Sequence, residues 1–235
     1  MDLFTSVIPE SKWHPHYKHI LLEHYNSCCE VLNEWGTGFQ DRDNKFVKEF
    51  QSSFNPCFWE LYLFAVLKDY GLDVDWSYRS PDFVVDSETG GFCIEATTAG
   101  AAQDKPNEWD VLISDIDINA IDINGLNREA IIRLSNSISS KYKILHAQYG
   151  QLSHVRNKPF VLAVAAFKQP LFNLQYNRPI RALLYDIYVD DEEYLKHPER
   201  YPNGHTDKEL GVIYKDNGAC QFQKLISQNF RSRFH

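Results

Sequence analysis

The chain has 235 residues, and 43% of them are hydrophobic, which is enough apolar material for one sizeable core. Its formal net charge of −8 argues against a protein whose whole surface binds nucleic acid, but the charge does not exclude a local basic groove. No apolar run approaches the roughly eighteen residues of a membrane span, and the start carries no basic leader. Five cysteines without a Cys-x-x-Cys spacing favour a reducing compartment, so we expect a cytoplasmic protein without a membrane partner.

Composition predicts a single domain, with an N-terminal helical elaboration over residues 1–50, a core over 51–170 and a C-terminal elaboration with a tail over 171–235. Within the first part, residues 12–35 favour helix and residues 45–53 favour a short amphipathic helix. The first of these segments contains His14, His16, His19 and His24. Neither cysteine partners nor a His-Glu-x-x-His spacing accompanies them, so we prefer a structural role to a zinc site.

The next stretch predicts a buried helix that carries one acid. Asn55 and Pro56 are typical of a helix start, and the run from Cys57 to Leu67 is apolar almost all round. Glu60 alone interrupts this run, and a carboxylate within a buried helix is costly unless a partner compensates its charge. Glu60 is therefore the first candidate site residue.

Three short strands are predicted after this helix, at residues 72–78, 82–85 and 92–97. A four-residue hairpin loop over 87–90 would place Val84 opposite Cys93 and Asp82 opposite Glu95. Cross-strand partners project from the same face of a sheet. The pattern therefore predicts that the carboxylates of Asp82 and Glu95 lie side by side.

The three acids together predict a divalent-metal site. The preceding buried helix is expected to cover one face of the sheet, so that Glu60 would complete a cluster of three carboxylates with Asp82 and Glu95. Such a cluster repels itself without a cation, and oxygen-only ligation suits Mg²⁺ or Mn²⁺. Taken singly, Asp82 is also typical of a turn after Pro81, and Glu95 of a solvated strand face. The combined order is more specific than any one of its parts.

A second helix is predicted over residues 127–149, after an acidic and irregular insertion. One apolar stripe along it comprises Ile131, Leu134, Ile138, Leu145 and Tyr149. At about 100° per residue, Lys141 projects within this stripe, whereas Lys143 points nearly opposite. Lys141 either reaches a buried anionic partner or extends along the apolar surface to water. Arg128 and Arg133 flank the early turns and are candidate phosphate contacts.

The remaining elements are less distinct. Residues 159–167 form a continuous apolar run, which is typical of a central strand covered on both faces. The predictions for the rest of the chain are a helix over 179–188, a solvated acidic run over 190–193, a loop over 197–205 and a basic tail over 224–235.

From Asn55 to Phe167, the order of these features resembles the PD-(D/E)xK nuclease superfamily, whose restriction-endonuclease-like core runs helix, three strands, helix, strand. By this resemblance Glu60 corresponds to the helix acid, Pro81-Asp82 to the Pro-Asp of the motif and Glu95 to its second acid. Thr97 stands where the family usually has a lysine. Some members supply that lysine from a later helix, and Lys141 is the candidate here.

The sequence thus predicts an α/β fold with a mixed sheet flanked by helices. The resemblance implies an Mg²⁺- or Mn²⁺-dependent endonuclease that hydrolyses phosphodiester bonds, in DNA before RNA, with a role in restriction or phage defence. Glu60, Asp82 and Glu95 would hold the metal, Lys141 would complete the catalytic set, and Arg128 and Arg133 would bind substrate. The alternative is a catalytically inactive module of this fold that binds nucleic acid or a protein partner. A homodimer is compatible with the sequence.

Overall fold

The computed structural model describes residues 1–86, 90–102, 105–111, 116–117, 120–202, 207–209, 213–214 and 220–221. It has a mixed α/β architecture with a four-stranded mixed sheet flanked by helices. The chain divides into two compact units, Met1–Thr98 with Ser140–Ala165 and Ala99–Ser139 with Ala166–His235. Within the described ranges, no helix is both long and apolar enough to cross a bilayer. The predicted hairpin-loop residues 87–89 and the predicted tail lie outside the described residues.

Seven α-helices occur in the described part of the chain. They are α1 Pro15–Ile20, α2 Asn26–Trp35, α3 Phe46–Ser53, α4 Asn55–Asp69, α5 Ile123–Ala147, α6 Arg178–Tyr185 and α7 Asp191–Lys196. The helices predicted over 45–53 and 55–67 are confirmed as α3 and α4. The helix predicted over 127–149 is confirmed as α5, although it begins four residues earlier and ends at Ala147.

The main sheet has the order β1-β2-β3-β4. Its strands are β1 Asp73–Val74, β2 Phe83–Asp86, β3 Phe92–Gly100 and β4 Phe160–Lys168. Elsewhere among the described residues, β5 Ile187–Val189 pairs with β6 Asp207–Glu209, and β7 Ile213–Tyr214 pairs with β8 Cys220–Gln221. The first strand is much shorter than the predicted 72–78, because only Asp73 and Val74 pair with β2.

The register of β2 and β3 follows the prediction. Val84 lies opposite Cys93, and the flanking pairs are Phe83 with Ile94 and Val85 with Phe92. One further step along the same antiparallel register places Asp82 opposite Glu95. The alternation of side chains then puts both acids on one face of the sheet.

Helix α4 is apolar almost all round because it packs against two hydrophobic clusters. Cys57 and Leu61 belong to the N-terminal cluster, whose other buried members are Leu3, Tyr17, Leu32, Phe46, Phe50 and Phe54. Phe64 and Leu67 belong to the sheet cluster, whose other buried members are Phe83, Val85 and Ile94. The helix that carries Glu60 is therefore shared between the N-terminal helices and the sheet.

The ends of α4 differ slightly from the prediction. The helix begins at Asn55, and Phe54 rather than Asn55 takes the N-cap position. Pro56 lies in the first turn, where its missing N–H costs no hydrogen bond. At the other end Gly71 adopts a φ of 67°, and its N–H donates to the carbonyl of Lys68. A glycine suits this left-handed position because it has no Cβ.

Strand β4 corrects the prediction of a central strand covered on both faces. It follows β3 at the end of the described sheet order, and its residues are mostly half-buried. Val161 is 45% exposed. An apolar run shows that a strand can be buried, but it does not distinguish a central strand from a strand at the edge of the sheet.

The C-terminal predictions also needed adjustment. Helix α6 stops at Tyr185 because β5 begins at Ile187. The acidic run over 190–193 is more than a solvated segment. Asp190 caps α7, since its Oδ1 accepts from the N–H of Glu193 at 3.1 Å and from Nδ2 of Asn124 at 2.9 Å. Residues 198–200 of the predicted loop form a 3₁₀ turn.

Gln51 of α3 fixes the N-terminal segment and supports a first prediction. Its side chain is fully buried, and its Nε2 donates to the carbonyls of Leu3 at 3.2 Å and Thr5 at 2.9 Å. Its Oε1 accepts from the N–H of Val7 at 3.0 Å. Gln51→Leu should lower the free energy of unfolding by about 2–4 kcal/mol, because buried groups lose their partners.

Urea unfolding of the two purified proteins measures this difference. Lys48→Ala, at an exposed position of the same helix, is the matched control and should change the free energy of unfolding by less than about 0.5 kcal/mol. A Gln51→Leu protein as stable as the wild type would show that these hydrogen bonds do not hold the segment.

Candidate active site

The structure brings Asp82, directly before β2, together with Glu95 in the middle of β3. Oδ2 of Asp82 accepts a hydrogen bond from the backbone N–H of Ala96 at 2.7 Å. This bond spans the two strands and fixes the Asp82 carboxylate next to Glu95, which is only 4% exposed. A buried acid on the sheet excludes the alternative of a solvated strand face for Glu95.

Lys141 reaches this pair from the last third of α5. Its Nζ lies 2.6 Å from Oε1 of Glu95, and both side chains are largely shielded from water. Lys143, two residues further on, is exposed. The position of Lys141 therefore agrees with the helical angle, and its ammonium ends on a buried anion rather than in water. Its catalytic role stays a prediction.

Tyr149 is a site residue that sequence reasoning assigned only to the apolar stripe. Its hydroxyl donates to Oε1 of Glu95 at 3.4 Å and also interacts with the side chain of Ser80. Burial raises the pKa of the Tyr149 hydroxyl, and the charge of Glu95 raises it further, so this group keeps its proton. A partly buried tyrosine needs a hydrogen-bond partner for its hydroxyl, so a tyrosine on the predicted apolar stripe could have indicated a nearby polar group.

The second oxygen of Glu95 is unusual. Oε2 is buried and has no hydrogen-bond partner among the described residues. A carboxylate oxygen without a partner in a buried place is costly. A cation or a donor from a substrate would remove this cost.

Burial raises the pKa of Glu60 to about 8, and the nearby charge of Asp82 raises it as well. The guanidinium of Arg42 acts in the opposite direction, and the charge of Glu95 adds a smaller increase. The pKa of Glu60 therefore responds to the charges of both other acids. At neutral pH and without a cation, the Glu60 carboxyl group holds a proton.

Asp82 is perturbed in the same direction. Burial raises the pKa of its carboxyl group to about 6, and the charge of Glu95 contributes to the increase. The hydrogen bond from Ala96 lowers the pKa, and the positive charges of Lys141 and Arg42 lower it further. Asp82 is thus ionised at neutral pH, but less readily than an exposed aspartate.

The donors present fit a hard divalent cation in part. Within the described ranges, no group of three histidine, cysteine, aspartate or glutamate side chains is arranged to hold a metal ion. Mg²⁺, however, commonly takes only one or two carboxylates and completes its shell with water and substrate phosphate. Asp82 and the unpartnered Oε2 of Glu95 supply such a pair. Helix α4 packs on the sheet face that carries Phe83, whereas Asp82 and Glu95 alternate onto the opposite face. The covering helix therefore does not by itself bring Glu60 to them. The role of Glu60 as a third ligand stays a prediction.

A cavity of about 580 Å³ lies beside Glu60 in the same unit. Its wall comes mainly from the segment between α2 and α3, and it includes Arg42 and Arg79. Arg42 was missed by the sequence reasoning, because it stands in an irregular segment of mixed charge. The cavity offers a route by which solvent or substrate can approach the acid of α4.

Arg128 and Arg133 belong to the second unit. Nε of Arg133 donates to the carbonyl of Gly100 at 2.5 Å, so part of this guanidinium binds backbone. Arg128 is exposed and borders a cavity of about 560 Å³ within that unit. Their contacts with substrate phosphate stay predictions.

Comparison of the chain with family models, curated proteins and solved structures found no match.

Proposed function

We propose that the protein is a metal-dependent nuclease that hydrolyses phosphodiester bonds in DNA, built on a restriction-endonuclease-like core. The observation that carries the proposal is the buried contact between Lys141 and Glu95, next to the carboxylate of Asp82. The element order α4, β1, β2, β3, α5, β4 supports it, because it has the helix, three strands, helix and strand of that core.

In this proposal Asp82 and Glu95 hold Mg²⁺ or Mn²⁺. Bound there, such a cation would supply positive charge for the transferring phosphate and would lower the pKa of a water molecule. The protein holds the two carboxylates by fixed contacts, the Ala96 amide on Asp82 and the Lys141 ammonium on Glu95. Fixed ligands require little reorganisation during the reaction.

Lys141 has two tasks in the proposal. Its ammonium orients Glu95 by a charge-assisted hydrogen bond, and its positive charge stabilises negative charge that develops on the phosphate oxygens. The side chain thereby takes the place of the lysine that the related motif has where this chain has Thr97. Glu60, which holds a proton at neutral pH, would join the ligands only when positive charge arrives.

The proposal is tested by removing one carboxylate charge at a time. Asp82→Asn and Glu95→Gln should each lower Mg²⁺-dependent cleavage of plasmid DNA by at least about 100-fold, because each removes fixed negative charge from the site. Asp73→Asn, an exposed acid on β1, is the control and should cleave like the wild type. Unchanged cleavage by both site variants, in preparations free of contaminating nuclease, would reject the assignment.

Tyr149→Phe supports a further prediction. The substitution keeps the ring that packs near Phe160, at a centroid distance of 6.1 Å, and removes only the hydroxyl. Turnover should fall by about tenfold with KM nearly unchanged, since a hydrogen bond to a charged group contributes about 1.5 kcal/mol. Tyr142→Phe, on the preceding helix α5, should have no effect. Single-turnover cleavage assays distinguish the two.

Two observations favour a second candidate function, a binding module of the same fold without catalytic activity. No three-ligand group occurs in the described part of the chain, and Glu60 holds a proton at neutral pH. Calorimetric titration with Mn²⁺ separates the candidates. A nuclease should bind the ion at a site that Glu95→Gln abolishes, whereas a binding module should retain DNA in EDTA and show no such site.

A further inference from the structure

Arg42 makes contacts that neither its sequence surroundings nor the proposed reaction explains. It is half-buried in the segment between α2 and α3, and it contacts the segment that precedes β2. One terminal nitrogen donates to the carbonyl of Tyr78, and the other donates to the carbonyl of Asp82 at 3.2 Å. The guanidinium also lies 5.7 Å from the ring centroid of Trp76. A single planar group thus binds both ends of the segment 78–82.

The same segment is held by a second set of contacts. Nε2 of His154 lies 2.7 Å from the carbonyl of Ser80, and the His154 ring stacks on Tyr78 with centroids 3.7 Å apart. With Arg42 at the first and last carbonyls and His154 at the middle one, the backbone that leads into Asp82 has few free groups. Its conformation is therefore set by side chains distant in sequence.

The chemistry of this contact requires arginine. The guanidinium fork presents parallel donors that can reach two carbonyls at once, whereas an ammonium is a point charge. Its flat face can also lie against the Trp76 ring. The positive charge acts on the neighbouring acids as well, since it opposes the effect of burial on the pKa of Glu60 and Asp82.

We infer that Arg42 is a positioning residue that keeps the Asp82 carboxylate on the Ala96 amide by fixing the segment 78–82. The positioning stands on the contacts alone. Its consequence for turnover rests on the proposed nuclease function. Arg42 itself touches neither the predicted ligand oxygens nor a reacting atom, so it acts through Asp82.

Amide hydrogen exchange in the metal-free protein tests the positioning directly. The N–H of Ala96 donates to Asp82, whereas the N–H of Cys93, on the same strand, donates to the carbonyl of Pro159 at 2.9 Å. In Arg42→Lys and Arg42→Gln, exchange at Ala96 should become at least about tenfold faster, with exchange at Cys93 within about twofold of the wild type. Lys45→Gln should change neither.

Two results would overturn the inference. One is unchanged exchange at Ala96 in both Arg42 variants. The other is equal acceleration at Ala96 and Cys93, which would indicate a general loss of stability rather than a displaced carboxylate. Arg42→Lys keeps the charge and most of the volume, so it decides the question if Arg42→Gln does not fold.

Cleavage kinetics give the functional consequence. Both Arg42 variants should lower kcat by about tenfold or more with KM within about twofold, because the substrate still binds while one carboxylate is misplaced. An effect on KM alone would show that Arg42 binds substrate and would overturn the positioning role. If the wild-type protein cleaves no DNA with either metal, the nuclease proposal fails, and the exchange at Ala96 still decides the role of Arg42.

Discussion

Lys141→Ala should lower the turnover of DNA cleavage by about 100- to 1,000-fold, whereas Lys143→Ala should leave it within about twofold. The two lysines lie on one helix and differ only in direction. The Lys141 ammonium is 2.6 Å from Glu95, while Lys143 is exposed. The first substitution removes a fixed positive charge from a buried site and leaves the Glu95 carboxylate without its partner. The second removes a charge that water already screens.

Single-turnover cleavage at saturating Mg²⁺ measures this difference without a contribution from product release. The Lys141→Ala protein must also unfold cooperatively in urea, so that loss of folding is not mistaken for loss of catalysis. Equal effects of the two substitutions would mean that Lys141 has no special place in the reaction, in spite of its contact with Glu95.

The stability of the metal-free protein should fall as the pH rises from about 4 to about 8. Glu60 and Asp82 have pKa values of about 8 and about 6 in the folded protein, above their ordinary values of 4.5 and 3.8. A folded state that binds more protons than the unfolded state loses stability when those protons leave. The contribution is complete below pH 4 and is lost as each folded pKa is passed. The loss should be on the order of 5–8 kcal/mol, because each tenfold difference in proton affinity between the folded and unfolded states contributes about 1.4 kcal/mol.

Urea unfolding at a series of pH values in EDTA tests this expectation. The double variant Glu60→Gln/Asp82→Asn has no carboxylate to ionise at these positions and should show a much flatter profile. Mn²⁺ should restore stability to the wild-type protein at pH 8 but not to the variant, because only ionised acids gain from the cation. A wild-type profile that stays flat or rises between pH 4 and pH 8 would contradict the assigned pKa values.

The parts of the site that sequence predicted are those fixed by local geometry. Hairpin length and side-chain alternation set the register that brings Asp82 opposite Glu95. The angle per residue of a helix separates Lys141 from Lys143. Both rules operate over short distances along the chain, and so they could be applied without knowing the rest of the fold.

The contacts of Arg42 could not be predicted in this way. They join an irregular segment to carbonyls 36 and 40 residues away, and no periodicity relates such positions. The place of β4 at the end of the described sheet was missed for a similar reason, since an apolar run is compatible with a central or an outer strand. The sequence identified Glu60 as unusual, but the raised pKa of its carboxyl group depends on burial and on charges that only the fold brings near.

The double role of α4 has a consequence for any attempt to isolate a minimal catalytic fragment. Leu61, one position after the acid, is fully buried in the N-terminal cluster, while Phe64 packs in the sheet cluster. A fragment that starts after residue 50 would expose the Leu61 side of the helix to water. The backbone that positions Glu60 would then lose this packing. The first fifty residues therefore provide half of the packing that holds the helix with Glu60 in place. On heating, the N-terminal cluster and the site should unfold together in one cooperative transition.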